Sequence, residues 1–168
     1  MNKINFLFVT LFGIGKLKKI PGSYASLATT ILLFFLFHIL NFSPNFVLIG
    51  IIIVFIVSLY AVKVFVKDLD NKDPKEVVID EFIGQSIPIC LYEIAHDGVK
   101  DTGQVLTFYF IMFILFRIFD IVKPYPVSYY DKKFKNSFGV IMDDVCAGLY
   151  VVAVLVLYMV TTSWKNFP

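Results

Sequence analysis

Charge is scarce in this sequence. Only 17% of its 168 residues are charged, where a soluble domain averages about 25%, and arginine occurs a single time, at position 117. Hydrophobic residues make up 58%, phenylalanine alone contributes 19, and the mean hydropathy is +0.80. These values exclude an ordinary soluble domain, and the chain reads as an integral membrane protein. Cysteine is rare too. Cys90 and Cys146 lie inside apolar stretches with no C-x-x-C spacing, which argues against a disulfide framework or a zinc site and leaves two small packing residues. A net charge of +2 gives no basis for nucleic-acid binding. Internal repeats and low-complexity tracts are absent and the loops are short, so residues 1–168 are expected to form one membrane-embedded domain.

What the sequence does have is long apolar runs. A bilayer core of about 30 Å needs about 20 apolar residues in a helix. Stretches 24–42, 45–66, 104–122 and 140–162 qualify, and a fifth, 81–95, is short and carries Pro88, which would kink it. The expected fold is all-α: a bundle of four to five transmembrane or partly embedded helices. The run 4–12 imitates the apolar part of a signal peptide, but "GIGKLKK" follows it instead of a small-residue cleavage site, so it reads as a short interfacial segment. Lysines cluster at 16–19, 67–75 and 123–135, while the loops at 42–45 and 96–103 hold only Lys100. If the short helix crosses, all three clusters fall on one face, which the positive-inside rule makes cytoplasmic.

That topology gathers the embedded acids. Asp80 and Glu81 open the third helix, Asp120 closes the fourth with Arg117, and Asp143 with Asp144 open the fifth, all at the cytoplasmic end. Macrodipole compensation accounts for acids at helix N-termini but not for Asp120 at a C-terminal end. Arg117 and Lys123, three residues to either side, are the nearest cations for it. Two basic side chains do not neutralise five clustered carboxylates, so a divalent cation is inferred, and hard oxygen ligands point to Mg²⁺. Adjacent helix residues point about 100° apart, so one acid of each pair is expected to reach the ion. Gly84 and Gly148, each four residues beyond an acid, offer close helix approach. A metal with basic neighbours suits a phosphate, and the loop "KLKKIPGSYAS" adds lysines and a helix start where Ser23 could be the N-cap. At this depth the phosphate-bearing molecule is expected to be a phospholipid.

Four blocks then resemble one family. "PGSYAS" at 21–26, "VVIDEFIGQ" at 77–85, "FRIFDIVKPYP" at 116–126 and "GVIMDDVCAG" at 139–148 follow, in order, the pattern of the phosphatidylglycerophosphatase A family, over about residues 13 to 154. The resemblance implies a Mg²⁺-dependent lipid phosphatase of the inner membrane, multi-pass, with its active site facing the cytoplasm, converting phosphatidylglycerophosphate to phosphatidylglycerol. It implies catalytic roles for Asp80, Glu81, Arg117, Asp120, Lys123, Asp143 and Asp144. The accompanying mechanism assigns metal ligation to Glu81, Asp120 and Asp144, and substrate binding to Arg117, Lys123, Gly22, Ser23 and Lys19. Ser23, Ala25 and Asn136-Ser137 depart from the residues common in the family.

Two other classes compete. An ion-coupled transporter also places carboxylates in the membrane, but here the acids hug one interface and no inverted repeat is visible. A structural protein with an ion-pair belt predicts no activity and indifference to Mg²⁺. "DLDN" at 68–71 reads as a solvated linker, "HDG" at 96–98 as a turn, and His38 as a packing residue or helix–helix hydrogen-bond partner. Protein partners are not indicated by any stretch of the sequence.

Overall fold

The computed structural model describes residues 3–67, 74–96, 102–134 and 136–161. The segment 68–71, residues 97–98 and Lys100 therefore lie outside the described residues. Among the described residues the chain is helical without strands: α1 (Lys3–Val9), α2 (Pro21–Phe34), α3 (Pro44–Phe65), α4 (Ile79–Ala95), α5 (Thr102–Val122), α6 (Val127–Lys133) and α7 (Ser137–Thr161). A π-turn, Phe35–Ile39, prolongs α2. Four helices are long and apolar enough to cross a membrane: α2 with its π-turn, α3, α5 and α7. These are the four predicted spans, displaced by at most a few residues.

The fifth helix is different in kind. At 17 residues α4 is about 25 Å long, short of the hydrocarbon thickness, and its sequence is the least apolar of the long helices. It can afford polar residues because protein, not lipid, surrounds it: α7, α2, α3 and α5 all pack on it, α7 most extensively. Lipid is left to the outer helices, where Ile49, Ile53, Ile56, Ile118 and Leu157 project outward.

Backbone contact makes the α4–α7 crossing tight. A Cβ on Gly148 would overlap the Gly84 carbonyl oxygen, and a Cβ on Gly84 would stand 2.6 Å from the Asp144 carbonyl. Both glycines thus act as the sequence predicted. Pro88 belongs to the same arrangement. Lacking an N–H, it leaves the Gly84 carbonyl without its helical donor, and Gly148 packs against that same oxygen, where a Cα–H contact is the available substitute.

Two apolar clusters fill the interior. One, around Ile89, Tyr109, Met112, Phe116 and Val151, joins α4, α5 and α7. The other, around Val62, Phe65, Ile79, Ile83 and Ile141, seats α1 through Val9. Polar ties fix α1: Asn5 Nδ2 donates to the Ala61 carbonyl at 3.1 Å, and the Val78 N–H donates to the Val9 carbonyl at 3.0 Å. The predicted interfacial segment is therefore a short helix docked on α3 and on the entry to α4. His38, placed by the π-turn, faces Glu93 of α4 at 3.2 Å, a helix–helix hydrogen bond as expected.

Candidate active site

Four helix ends converge at one end of the bundle. Helix α2 begins with Pro21 at its first position, which suits a residue without an N–H, so Ser23 lies inside the first turn and is not the N-cap. Gly22 is buried there, and the reason for its size is visible: a Cβ would overlap Glu81 Oε1 and come within 3.3 Å of Arg117 Nη1. One turn on, Ser26 accepts from Arg117 Nη1 at 3.4 Å and donates to the Gly22 carbonyl at 2.9 Å. The first turn of α4 supplies Asp80 and Glu81; the first two turns of α7 supply Asp143 and Asp144.

Asp80, Glu81 and Asp144 each offer a carboxylate oxygen within 4.8 Å of the others. Asp80 is 7% exposed and Asp144 only 3%. Burying three carboxylates at this separation is strongly unfavourable without compensating cations. Asp120 adds to the charge, within electrostatic reach of both Glu81 and Asp144. Its Oδ2, however, lies 2.9 Å from Arg117 Nη1, so it holds the guanidinium while Asp80 completes the close carboxylate group. Spacing predicted that only one of Asp80 and Glu81 would reach the ion. The extra methylene of Glu81 lets its side chain swing across that angle, so both Asp80 and Glu81 bring a carboxylate oxygen within 4.8 Å of one on Asp144.

Lys123 is set by the way α5 ends. Pro124 disfavours a further helical residue before it, and Lys123 takes a left-handed φ of +47°, capping the helix with its N–H on the Phe119 carbonyl at 2.9 Å. This swings its side chain off the α5 face, and Nζ lies 2.7 Å from Asp143 Oδ2 on α7. Asp143 Oδ1 accepts the Asp144 N–H at 3.0 Å. Of the adjacent pair, Asp143 holds Lys123 and Asp144 faces Asp80 and Glu81.

Several buried polar atoms here lack a partner: Glu81 Oε2, Arg117 Nε, and both amide atoms of Gln85, which is four residues past Glu81 and fully buried. Buried groups of this kind are normally satisfied, and their concentration beside the acids marks a place built for something further. The donor set is all oxygen, which fits a hard divalent cation. Of the predicted substrate-binding residues, Gly22 is inside the site, Ser23 is half-buried at its edge and Lys19 is exposed beside it. Ser26 and Gln85 were missed. Ser26 closes the "PGSYAS" block one turn after Gly22, and Gln85 is the last residue of "VVIDEFIGQ"; a polar residue at that position of a buried helix was the available signal.

A buried cluster of acids with one arginine at the ends of four helices does not by itself name a chemistry. The sequence profile described as phosphatidylglycerophosphatase A matches residues 7–159. The chain belongs to the phosphatidylglycerophosphatase A family. It is 34% identical over 157 residues to "Phosphatidylglycerophosphatase A" of Haemophilus influenzae, covering 92% of this chain and 88% of that protein. It is 28% identical to the protein of the same name from Escherichia coli, covering 91% of this chain and 81% of that one. A Bacteroides thetaiotaomicron protein named "Putative phosphatidylinositol-3-phosphatase" is 32% identical, covering 89% and 92%. No solved structure matches the chain. Family membership favours a membrane phosphatase over the transporter and structural readings.

Proposed function

We propose that this chain hydrolyses phosphatidylglycerophosphate to phosphatidylglycerol and inorganic phosphate at the cytoplasmic surface of the inner membrane, with Mg²⁺ held by Asp80, Glu81 and Asp144. The observation that carries the reading is the meeting of those three carboxylates within 4.8 Å beside Arg117. Bound there, Mg²⁺ would supply positive charge that offsets the charge of the phosphoryl group in transfer. Substituting Asp80 for Asp120 in the expected ligand set follows the geometry.

The chain's own residues account for the rest. Arg117 is held from one side by Asp120 and touches Ser26, and its unpartnered Nε leaves a donor for a phosphate oxygen. Lys123, steadied by Asp143, adds a second cation at the same end. Hydrolysis adds water to phosphorus, breaks the bond to the glycerol oxygen, and returns a proton to that oxygen. Asp143 is a poor base for that water because one oxygen takes Lys123 and the other the Asp144 N–H. The role falls to the three-acid cluster of Asp80, Glu81 and Asp144, where the buried Glu81 Oε2 accepts no hydrogen bond from the chain. The cytoplasmic placement rests on Lys16, Lys18 and Lys19 before α2, Lys67 and Lys75 between α3 and α4, and Lys133 on α6, which share the end of the bundle that holds the acids.

The test is phosphate release by the purified protein from phosphatidylglycerophosphate in mixed micelles, with Mg²⁺ and with excess chelator. Release that requires the metal is expected. Phosphatidylinositol 3-phosphate serves as the second substrate, since one relative carries that name; faster turnover of the inositol lipid would replace the substrate in this reading while keeping the reaction class. No release from either lipid would contradict it.

A further inference from the structure

One buried polar side chain beside the acids, Gln85, has neither a partner in the chain nor a task in the reaction. It is fully buried, and both Oε1 and Nε2 lack a hydrogen bond. A primary amide offers two donor hydrogens and a carbonyl acceptor, and leaving both functions unmet in an interior is unfavourable. The buried hydroxyls of the facing helix do not serve it. On α2, Ser26, Thr29 and Thr30 each donate to a carbonyl of their own helix, at 2.9, 2.8 and 2.9 Å.

Position ties Gln85 to the acids. It follows Glu81 by four residues, so it stands one turn, about 6 Å, further along the same face of α4. Long side chains of a helix lean toward its N-terminus, which brings Gln85 back over Glu81, whose Oε2 is also unpartnered. Helix α2 runs beside α4 in the same direction: Gly22 abuts Glu81 near one end, and His38 meets Glu93 near the other. Ser26, one turn after Gly22, therefore shares a level with Gln85. Ser26 is also the residue that Arg117 Nη1 reaches at 3.4 Å. The unmet amide thus lies one turn further into the bundle than the carboxylates, at the level where the arginine ends.

We propose that Gln85 hydrogen-bonds a hydroxyl on the carbon next to the phosphate ester of the substrate; the inference rests on the phosphatase reading above. In-line hydrolysis puts the attacking water and the leaving glycerol oxygen on opposite sides of phosphorus. The glycerol leads to the lipid, so its side of the phosphate faces into the bundle, where Gln85 stands. The headgroup glycerol of phosphatidylglycerophosphate has one free hydroxyl, on its middle carbon. A hydroxyl both donates and accepts, which matches an amide with both functions open. Gln85 transfers no proton and sets specificity: a lipid with a hydroxyl beside its phosphate ester gains this bond, and phosphatidic acid, which has none there, does not.

The experiment compares phosphatidylglycerophosphate with an analogue whose headgroup glycerol is replaced by 1,3-propanediol, which keeps the terminal phosphate and lacks the hydroxyl. Both are assayed in the same detergent for the wild-type protein, Gln85→Leu and Gln85→Met. Wild type is expected to favour the glycerol lipid in kcat/KM by about 10–100-fold. In both variants the preference is expected to fall to about one, through slower turnover of the glycerol lipid with the propanediol lipid little changed. Each variant removes two unmet polar atoms, so both are expected to fold, and a ratio read within one preparation is unaltered by a reduced folded fraction. Leu157→Phe, at a 65% exposed position on the outside of α7, is expected to keep the wild-type ratio. A wild-type preference near one, or a preference that survives in both Gln85 variants, overturns the role of Gln85 alone. Absence of phosphate release from the glycerol lipid by wild type overturns the phosphatase reading and this role with it.

Discussion

Helix α4 buries acid near each end, one carboxylate at the C-terminal end and a cluster at the N-terminal end, and the two are built on opposite terms. Near its C-terminal end Glu93 is 6% exposed, and its Oε1 accepts the Tyr109 hydroxyl at 3.0 Å and faces His38 Nε2 at 3.2 Å. A carboxylate only accepts, so His38 must present Nε2–H to it. Aromatic rings close around the group, with Phe34 edge-on to Tyr109 at 5.9 Å. One acid meets two donors from two other helices, and the cluster is complete within the chain. At the N-terminal end Asp80, Glu81 and Asp144 crowd together, Glu81 Oε2 has no partner, and the nearby cations are engaged by Asp120 and Asp143. Burial of a charged group does not by itself mark function. What separates the clusters is satisfaction: the one at Glu93 has its donors within the chain, and the one at Asp80, Glu81 and Asp144 leaves Glu81 Oε2 without one.

The sharpest way to break this comparison is to neutralise one acid at each end. Glu81→Gln or Asp144→Asn is expected to lower phosphate release by about 10²–10³-fold, the scale of losing an electrostatic contact used in the reaction. Thermal unfolding in detergent should show these variants at least as stable as wild type, because removing one of several crowded negative charges relieves repulsion. A matching loss of stability would return the cluster to a structural role. Next in size is Asp120→Asn, which acts through Arg117; a drop of about 10–100-fold is expected. Asp120→Glu, which keeps a carboxylate for Arg117, should recover part of it. The smallest effect on turnover belongs to Glu93→Leu. It is expected to leave kcat per folded molecule near wild type while costing about 1–3 kcal/mol of stability, because Tyr109 and His38 lose their acceptor. Measuring both quantities in one preparation separates the two ends of α4.

Much of this was legible in the sequence because membrane physics leaves few choices. Runs of about 20 apolar residues dictated four spans, and the rarity of charge made each embedded acid conspicuous. Asp80, Glu81 and Asp144 stood out for that reason, and Gly84 and Gly148 were readable as contact points from their spacing to them. The unread parts depend on angles that spacing does not fix. Lys123 shares a helical face with Asp120 on paper, but its left-handed φ of +47° ends the helix there and turns the side chain to Asp143. Asp120 looked like a metal ligand by depth alone, whereas Arg117, one turn back on the same helix, engages it. The π-turn that carries His38, which faces Glu93, has no local signature in the sequence. Helix α6, with only seven residues and three aromatic or apolar positions, was likewise invisible as an element.

The central claim is that Asp80, Glu81 and Asp144 form one cation site, and it can be tested without reference to turnover. Mn²⁺, a paramagnetic stand-in for Mg²⁺ with the same preference for oxygen ligands, can be titrated into the purified protein and followed by electron paramagnetic resonance. Saturable binding is expected in wild type and in Glu93→Leu, and its loss is expected in Asp144→Asn. Binding of equal strength in Asp144→Asn would contradict the account.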